Sequence, residues 1–554
     1  GLFREHLLCE LPVDQLRPFL REDFGAPSKE LYTLLGVLLL QQMMDLTDTK
    51  ALEQLSFNIQ WHYALNITEE SDSAKYISEK TLWHWRQILT QQRLDQLIFD
   101  QISTKLAAVF NVKTGLQRID STHIKSNMRR LGRIGIFSHT IFKFLTNLKR
   151  HHQDLFATLN AALVDRYATK KALKAFSMVK PSASAKTLAQ VSTDLYELVE
   201  QFKGQRAVVG MHSYKLMQRV LTEQCTVQSE GGNPRVVVKK PKDVPTDSLQ
   251  NPSDPDAAYS GHKGQGYQVQ VMETFTRRED DSQEKPRLNL ITHVAVEKAN
   301  AQDTDALMPA IEASEQRGIK PDMVLADTLY GSDDNSQKAK GAGVDLVAPV
   351  KDGHNGSAYT GMRLYDFTFD DTGRVVRCPV GRRPENVRYK KKTKRFTARF
   401  DRQHCCSCPH VDACPIKPGK KYYYLWYSEK DYRLSRRRQI EASDEFIDLY
   451  RWRAGVEATM SQYKRLTGVK QLRVVRLKAV RFCATLKVAG LNILRAAAVR
   501  TEQRRAQDPK TGALRPTFML FSIVKEPSGR WWHKFMKKLP PISIGAYGAT
   551  KLAA

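Results

Sequence analysis

Five short strand-like runs, separated by long helical stretches, restrict the fold of this 554-residue chain more than any other feature. They are Gly115–Thr122 (GLQRIDST), Tyr267–Glu273 (YQVQVME), Asn289–Val296 (NLITHVAV), Met323–Asp327 (MVLAD) and Val344–Val350. Each alternates or runs apolar as a strand does. Residues 1–105 read as helical: Leu31–Met44, then Asp45–Leu55 with Thr47 or Asp48 as a cap, then the amphipathic Glu79–Phe99. Helical periodicity returns from about 125 to 220, over Asp303–Arg317 and from about 474 to 500. Residues 226–265 are rich in Pro, Gly and Asp and read as surface loop. Strands spaced in this way imply an α/β core carrying insertions. No internal repeat is visible.

The formal net charge is +28, which points to a polyanionic partner: nucleic acid first, an anionic membrane surface second. A hydrophobic content of 41% is enough for buried cores and excludes a disordered chain. No uninterrupted apolar run reaches about 18 residues, and Leu31–Met44 is short and broken by glutamines, so no membrane partner is expected. The first ten residues, GLFREHLLCE, lack the pattern of a secretory signal. Four of the eight cysteines crowd into residues 405–414, unlike a secreted disulfide scaffold, so a reducing, cytoplasmic setting is expected.

Two strand patterns end in acids, Asp120 and Asp327. An acid there projects from a rigid sheet, a good way to hold a metal ligand, although strand-end turns also favour Asp. A third acid, Glu457, lies in YRWRAGVEATMSQYK, where Tyr450, Arg453, Glu457 and Lys464 are spaced 0, 3, 7 and 14. On one α-helix these four fall within an arc of about 60°. Trp452, Val456, Tyr463 and Leu466 cluster opposite as a face to bury. Taken alone, such a polar arc is equally a wet helix surface. Three carboxylates suit one or two Mg²⁺ ions that also take phosphate oxygens as ligands.

These motifs resemble the bacterial insertion-sequence transposases of the DDE type, in the group with a Tyr-x2-Arg-x3-Glu-x6-Lys signature. That signature is matched by Tyr450, Arg453, Glu457 and Lys464, the first acid by Asp120 in RIDSTHI, and the second by Asp327 in VLADTLYGSDDN, with Tyr330, Ser332 and Asn335 fitting the family pattern. The resemblance implies a ribonuclease-H-like mixed sheet flanked by helices. Around it are expected an all-helical, DNA-binding N-terminal domain (1–105) and a catalytic core (106–500). The core would be interrupted by a helical insertion (129–255) and by a basic, cysteine-containing insertion (355–440), and a basic tail (501–554) would follow. It also implies Mg²⁺ or Mn²⁺ at Asp120, Asp327 and Glu457, and double-stranded DNA as partner, both terminal inverted repeats and target. Water would cut the DNA, and the freed 3′-hydroxyl would attack the target. A homodimer on DNA is expected, with Tyr450, Arg453 and Lys464 on phosphates. Two alternatives stand beside this: a nuclease of the same type without strand transfer, and a non-catalytic DNA-binding derivative, against which the three intact acids argue.

Cys405, Cys408 and Cys414, with Cys378 upstream, have the spacing of a structural zinc site, the alternative being reduced thiols. The flanks are basic and aromatic. Arg388, Lys390, Lys391, Lys392, Lys394 and Arg395 are candidate phosphate contacts, and Tyr422–Tyr427 offers rings that could stack on bases. A solvated basic face is the plainer reading of the same residues. His123 and His293 read as strand or turn residues outside the site.

Overall fold

The structure, a computed structural model, describes residues 1–20, 30–230, 233–277, 287–351 and 361–507. By contacts the chain divides into Gly1–Val499 and Arg500–Ala554; of the second unit only 500–507 are described, as helix, so most of the expected basic tail lies outside the described residues.

Eight strands precede residue 350: β1 (Leu116–Lys125), β2 (Cys225–Glu230), β3 (Asn233–Val238), β4 (Ala258–Ser260), β5 (Gly264–Thr274), β6 (Ile291–Lys298), β7 (Met323–Leu325) and β8 (Asp345–Val347). Six of them form one mixed sheet, with β6 and the short β4 on one side of β5, then β1, β7 and β8. β5 runs antiparallel to β1, β4 and β6, whereas β7 lies parallel to both β1 and β8. This is a mixed α/β architecture compatible with a ribonuclease-H-like core. The stretch expected as loop at 226–265 is not all loop: β2 and β3 make a hairpin and β4 an edge strand. Val236, Val237 and Val238 supply the β-branched side chains that a polar composition hid.

Alternation sends β1 and β5 side chains to two different cores. Ile124, Tyr267, Val269 and Val271 face a core shared with the N-terminal helices and with the helices Gly455–Thr467 and Leu477–Gln507. Ile119 and Met272 face the other side, against the helix Leu307–Glu315. The N-terminal helices begin where the sequence places them, Leu31–Met43 and Asp48–Phe57, with Thr47 Oγ1 accepting from Lys50 N at 3.3 Å. The Glu79–Phe99 stretch is two helices, Glu79–Gln91 and Leu94–Val109, parted by Arg93 in the left-handed region at φ 57°.

Between β1 and β2 a helical module, including Arg133–His151, Pro181–Phe202 and His212–Gln224, buries a separate core around Phe144, Tyr167, Phe202 and Tyr214. After β8 comes a smaller unit with the hairpin strands β9 (Thr368–Phe369) and β10 (Val375–Arg377) and a four-stranded antiparallel sheet of β11 (Asn386–Lys390), β12 (Arg395–Asp401), β13 (Lys417–Pro418) and β14 (Tyr422–Ser428). Its inner face is Phe396, Ala398, Phe400, Tyr423, Leu425 and Tyr427. Leu477–Arg505 is the one described helix long and apolar enough to cross a membrane, but 72% of that window is buried within the protein.

Candidate active site

Asp120 sits in the middle of β1. Asp327 follows β7 by two residues. Because Arg118 pairs with Leu325 in the parallel ladder, the two acids come level on neighbouring strands. Asp120 Oδ1 accepts from Ser121 N at 2.7 Å, and Asp327 Oδ1 from Leu329 N at 2.8 Å, which orients both carboxylates. Glu457 arrives from the Gly455–Thr467 helix, and one guanidinium joins all three acids. Arg453 Nη2 lies 2.9 Å from Asp120 Oδ2 and 4.0 Å from Asp327 Oδ2, and Nη1 lies 3.0 Å from Glu457 Oε1. Asp120 is 15% exposed and Glu457 67%, so the cluster is walled on the sheet side and open on the helix side.

Three negative charges against one positive leave the cluster short of cations. Burial raises the proton affinity of Asp120, and the neighbouring Asp327 and Asp303 raise it further, against the pull of Arg453. A cleft of about 330 Å³ opens beside it, lined by Asp120, Ser121, Thr122, Glu457, Met460, Ser461 and Lys464.

The spacing argument for one continuous helix is corrected by the structure. Residues 444–450 are α-helical, Arg451–Ala454 form a 3₁₀ turn, and a new α-helix starts at Gly455. At this break Arg118 Nη1 donates to Trp452 O at 2.6 Å, and a Cβ at position 455 would meet that guanidinium at 2.1 Å, so a larger residue there would have to push Arg118 aside. The tighter turn swings Arg453 inward onto the acids. Arg453, expected on a DNA phosphate, has both terminal nitrogens on carboxylates in this structure. Tyr450 is half-buried and stacks on Phe446 with centroids 5.5 Å apart. Lys464 lines the cleft. Val456 and Tyr463 are fully buried, as the apolar face requires.

The residues after Asp327 are scaffold. Tyr330 is buried, and its hydroxyl donates to Gln270 Oε1 at 2.5 Å. Ser332 Oγ caps the helix Asp333–Gly341 by accepting from Asn335 N, and Asn335 Nδ2 donates to Thr304 O and Tyr330 O. From the other side Arg437 of the helix Glu429–Glu441 donates to Gly331 O and Ala348 O at 2.9 and 2.8 Å.

Several residues beside the acids had no sequence signal strong enough to single them out. Lys263 Nζ lies 3.0 Å from Ser121 Oγ and 3.5 Å from Asp303 Oδ2. The stretch Gly261-His-Lys-Gly-Gln-Gly266 was the available cue. At Gly266, φ is 151° and a Cβ would meet Ile124 O at 2.1 Å, so the turn presses onto β1 and carries Lys263 there. The second missed group, Arg118, Glu273, Thr459 and Arg495, lies one same-face step back along β1 and β5. His123 and His293 lie on β1 and β6, apart from the acids.

The four cysteines flank the small sheet, and all are free thiols. Burial and, more weakly, Cys378, Cys414 and Cys408 push the Cys405 thiol up to about 11. Among the described residues no group of three or more His, Cys, Asp or Glu is set to hold a metal ion. The zinc expectation is therefore not supported; Cys378, Cys405 and Cys414 pack against the aromatic core of the small unit. The basic residues Arg388, Lys390 and Arg395 project from the outer face of β11 and β12, with Lys391, Lys392 and Lys394 in the turn between them; all six are exposed. Trp426, 56% exposed, stacks on Tyr424 on the same face, at 5.4 Å and 4°.

A mixed sheet that sets two acids level on parallel neighbours, with a third acid brought from a helix, is compatible with a ribonuclease-H-like core. Residues 377–497 match the family model of the Transposase DDE domain, and residues 7–88 match that of the Transposase domain (DUF772). Both matches support an insertion-sequence transposase. Glu457 lies inside the first match, whereas Asp120 and Asp327 lie outside both. No curated protein matches the chain.

Proposed function

We propose that this chain is a DNA transposase that binds the ends of its element, hydrolyses a phosphodiester there and transfers the resulting 3′-OH strand into target DNA. The observation that carries the reading is the meeting of Asp120, Asp327 and Glu457 on one guanidinium from elements more than a hundred residues apart. Hydrolysis adds water across the P–O bond and leaves a 3′-hydroxyl. Transfer then exchanges one phosphodiester for another, with the target strand's 3′-oxygen as leaving group.

Mg²⁺ or Mn²⁺ fits this donor set: three hard carboxylate oxygens donors carry an excess of negative charge that Arg453 balances only in part. Asp120 and Asp327 would hold it from the sheet, and the exposed Glu457 from the helix. When bound, the cation would lower the pKa of the attacking oxygen and offset charge on the leaving one. The protein's own residues orient these acids and grip the strand. Lys464 stands in the cleft to meet a phosphate as a point charge, and Tyr450 is near enough to feel Asp327 and Asp120. Arg388, Lys390, Lys391, Lys392, Lys394 and Arg395 supply a cationic surface for flanking duplex. A homodimer pairing two ends belongs to the same reading.

The test uses purified protein, Mg²⁺ or Mn²⁺, and a duplex carrying the inverted repeats that flank the coding region. Cleavage, together with joining of a pre-cut 3′-OH end to a plasmid, is expected from the wild type and from none of Asp120→Ala, Asp327→Ala or Glu457→Ala. Cleavage without joining would favour the nuclease alternative. Normal cutting by Asp327→Ala would overturn the site assignment.

A further inference from the structure

Behind the acids lies a fully buried carboxylate with no part in the chemistry described so far. Glu273, on β5, is 0% exposed. Its Oε1 accepts from Arg118 Nε at 2.8 Å and lies 2.7 Å from Arg118 Nη2; its Oε2 accepts from Thr459 Oγ1 at 2.6 Å and from Arg495 Nη1 at 3.0 Å. Arg495 also donates through Nη2 to Thr459 Oγ1 at 2.7 Å, and Arg118 reaches Trp452 O. One side chain thus ties β5 to β1, to the Leu477–Gln507 helix, to the 3₁₀ turn that aims Arg453, and to the helix that carries Glu457.

Thr459 is the contact that matters for position. It stands two residues after Glu457, on the buried side of the same helical turn, and is 3% exposed. Sheet-borne acids need no such tie, because the ladder fixes Asp120 and orients Asp327. Glu457 has neither: its helix meets the sheet through side chains, Tyr463 hydrogen-bonds Ala484 O of the neighbouring helix at 2.7 Å, and Thr459 reaches Glu273 of the sheet itself. That last contact is a charge-assisted hydrogen bond, directional as well as strong.

We infer that Glu273, acting through the Thr459 hydroxyl and through Arg118 on Trp452, is a positioning residue that sets the height and rotation of the Glu457 helix over Asp120 and Asp327. This inference rests on the transposase reading of the acids. Its mechanism is geometric: a misplacement of about 1 Å in a reacting group is enough to cost on the order of a hundredfold in rate.

Two substitutions at one position separate this from ordinary packing. Thr459→Val keeps the shape and removes the hydroxyl; Thr459→Ser keeps the hydroxyl and removes a methyl group. Both are measured on the full chain for cleavage of the flanking-repeat duplex (kcat and KM), for Mn²⁺ binding without DNA, and for thermal melting. The expected result is that Thr459→Val loses about 10- to 100-fold in kcat with KM for DNA unchanged and Mn²⁺ bound more weakly, while Thr459→Ser stays within about threefold of wild type. A purely structural role predicts the reverse order, with Thr459→Val active and Thr459→Ser impaired in step with its melting temperature, and that result overturns the inference. If Thr459→Val fails to fold, Thr459→Ala, which removes the hydroxyl without adding bulk, supplies the second arm: kcat equal to wild type with Mn²⁺ affinity unchanged would also overturn it. Absence of cleavage by the wild type would fault the transposase reading instead, and the Mn²⁺ comparison would still decide the positioning claim.

Discussion

Arg118 and Asp120 project from the same face of β1, two residues apart; Arg118 pairs with Glu273 on β5 and reaches Trp452 O, whereas Asp120 pairs with Arg453 of the same 3₁₀ turn. The cluster at Arg118 holds one carboxylate, Glu273, between two guanidiniums and a hydroxyl, all nearly removed from water. The cluster at Asp120 holds three carboxylates around one guanidinium, and its outermost acid is two-thirds exposed. The first is satisfied at each carboxylate oxygen and has nothing further to bind. The second carries unmatched negative charge beside a cleft. Burying charge is tolerable only with full pairing, which the inner cluster has and the outer cluster, open to water, does without.

That contrast can be broken in several ways. The largest effect is expected at the open cluster: Asp120→Ala, Asp327→Ala or Glu457→Ala should each lower cleavage at least about a thousandfold, by gel assay, with melting temperature unchanged or raised because a like charge is gone. A variant that loses cleavage only as it loses folding would make the two clusters alike. Glu273→Ala should do the opposite: urea unfolding should show a loss of about 3–5 kcal/mol, since Arg118 and Arg495 are left buried without their acid. A cost under about 1 kcal/mol would mean the buried cluster is not what holds the helix.

His293, beside Glu273's strand on β6, tests the dry side by pH. Burial and, second, Arg317 push its pKa down to about 3. The unfolded chain therefore takes up this proton first, so stability is present above about pH 6.5 and is lost as pH falls from there toward 3, by up to about 1.4 kcal/mol per pH unit. His293→Phe should flatten the acid limb of a stability-against-pH curve; an unchanged slope would show that water reaches this part of the sheet. The smallest stability effect belongs to the outer sheet. Changing Arg388, Lys390 and Arg395 to Glu should move stability by no more than about 0.5 kcal/mol each while reducing the salt dependence of duplex binding, read by fluorescence anisotropy.

Much of the core was legible because it obeys short-range rules. β5 and β6 alternate, Thr47 caps a helix and Asp327 follows an apolar run, so their elements could be placed from local pattern; Asp120, read as a strand end, instead lies mid-strand because β1 continues to Lys125. The unity of the Tyr450–Lys464 segment was misread because helical periodicity assumes that nothing outside the helix competes for its carbonyls. Arg118, more than three hundred residues upstream, takes Trp452 O and lies close over position 455. The β2–β3 hairpin was hidden by its polar surroundings. The zinc spacing was sequence-plausible, but spacing along a chain does not turn thiols toward one point.

What the sequence determined by itself was the charge, the places of the core strands β1, β5, β6 and β7, and three acids to look for, because each is written in neighbouring residues. The tertiary structure alone decided that Asp120 and Asp327 stand level, that Arg453 faces inward rather than toward solvent, and that Glu273 lies under the Glu457 helix. Those facts depend on strand register and on side chains meeting across hundreds of residues, and no local pattern encodes such meetings.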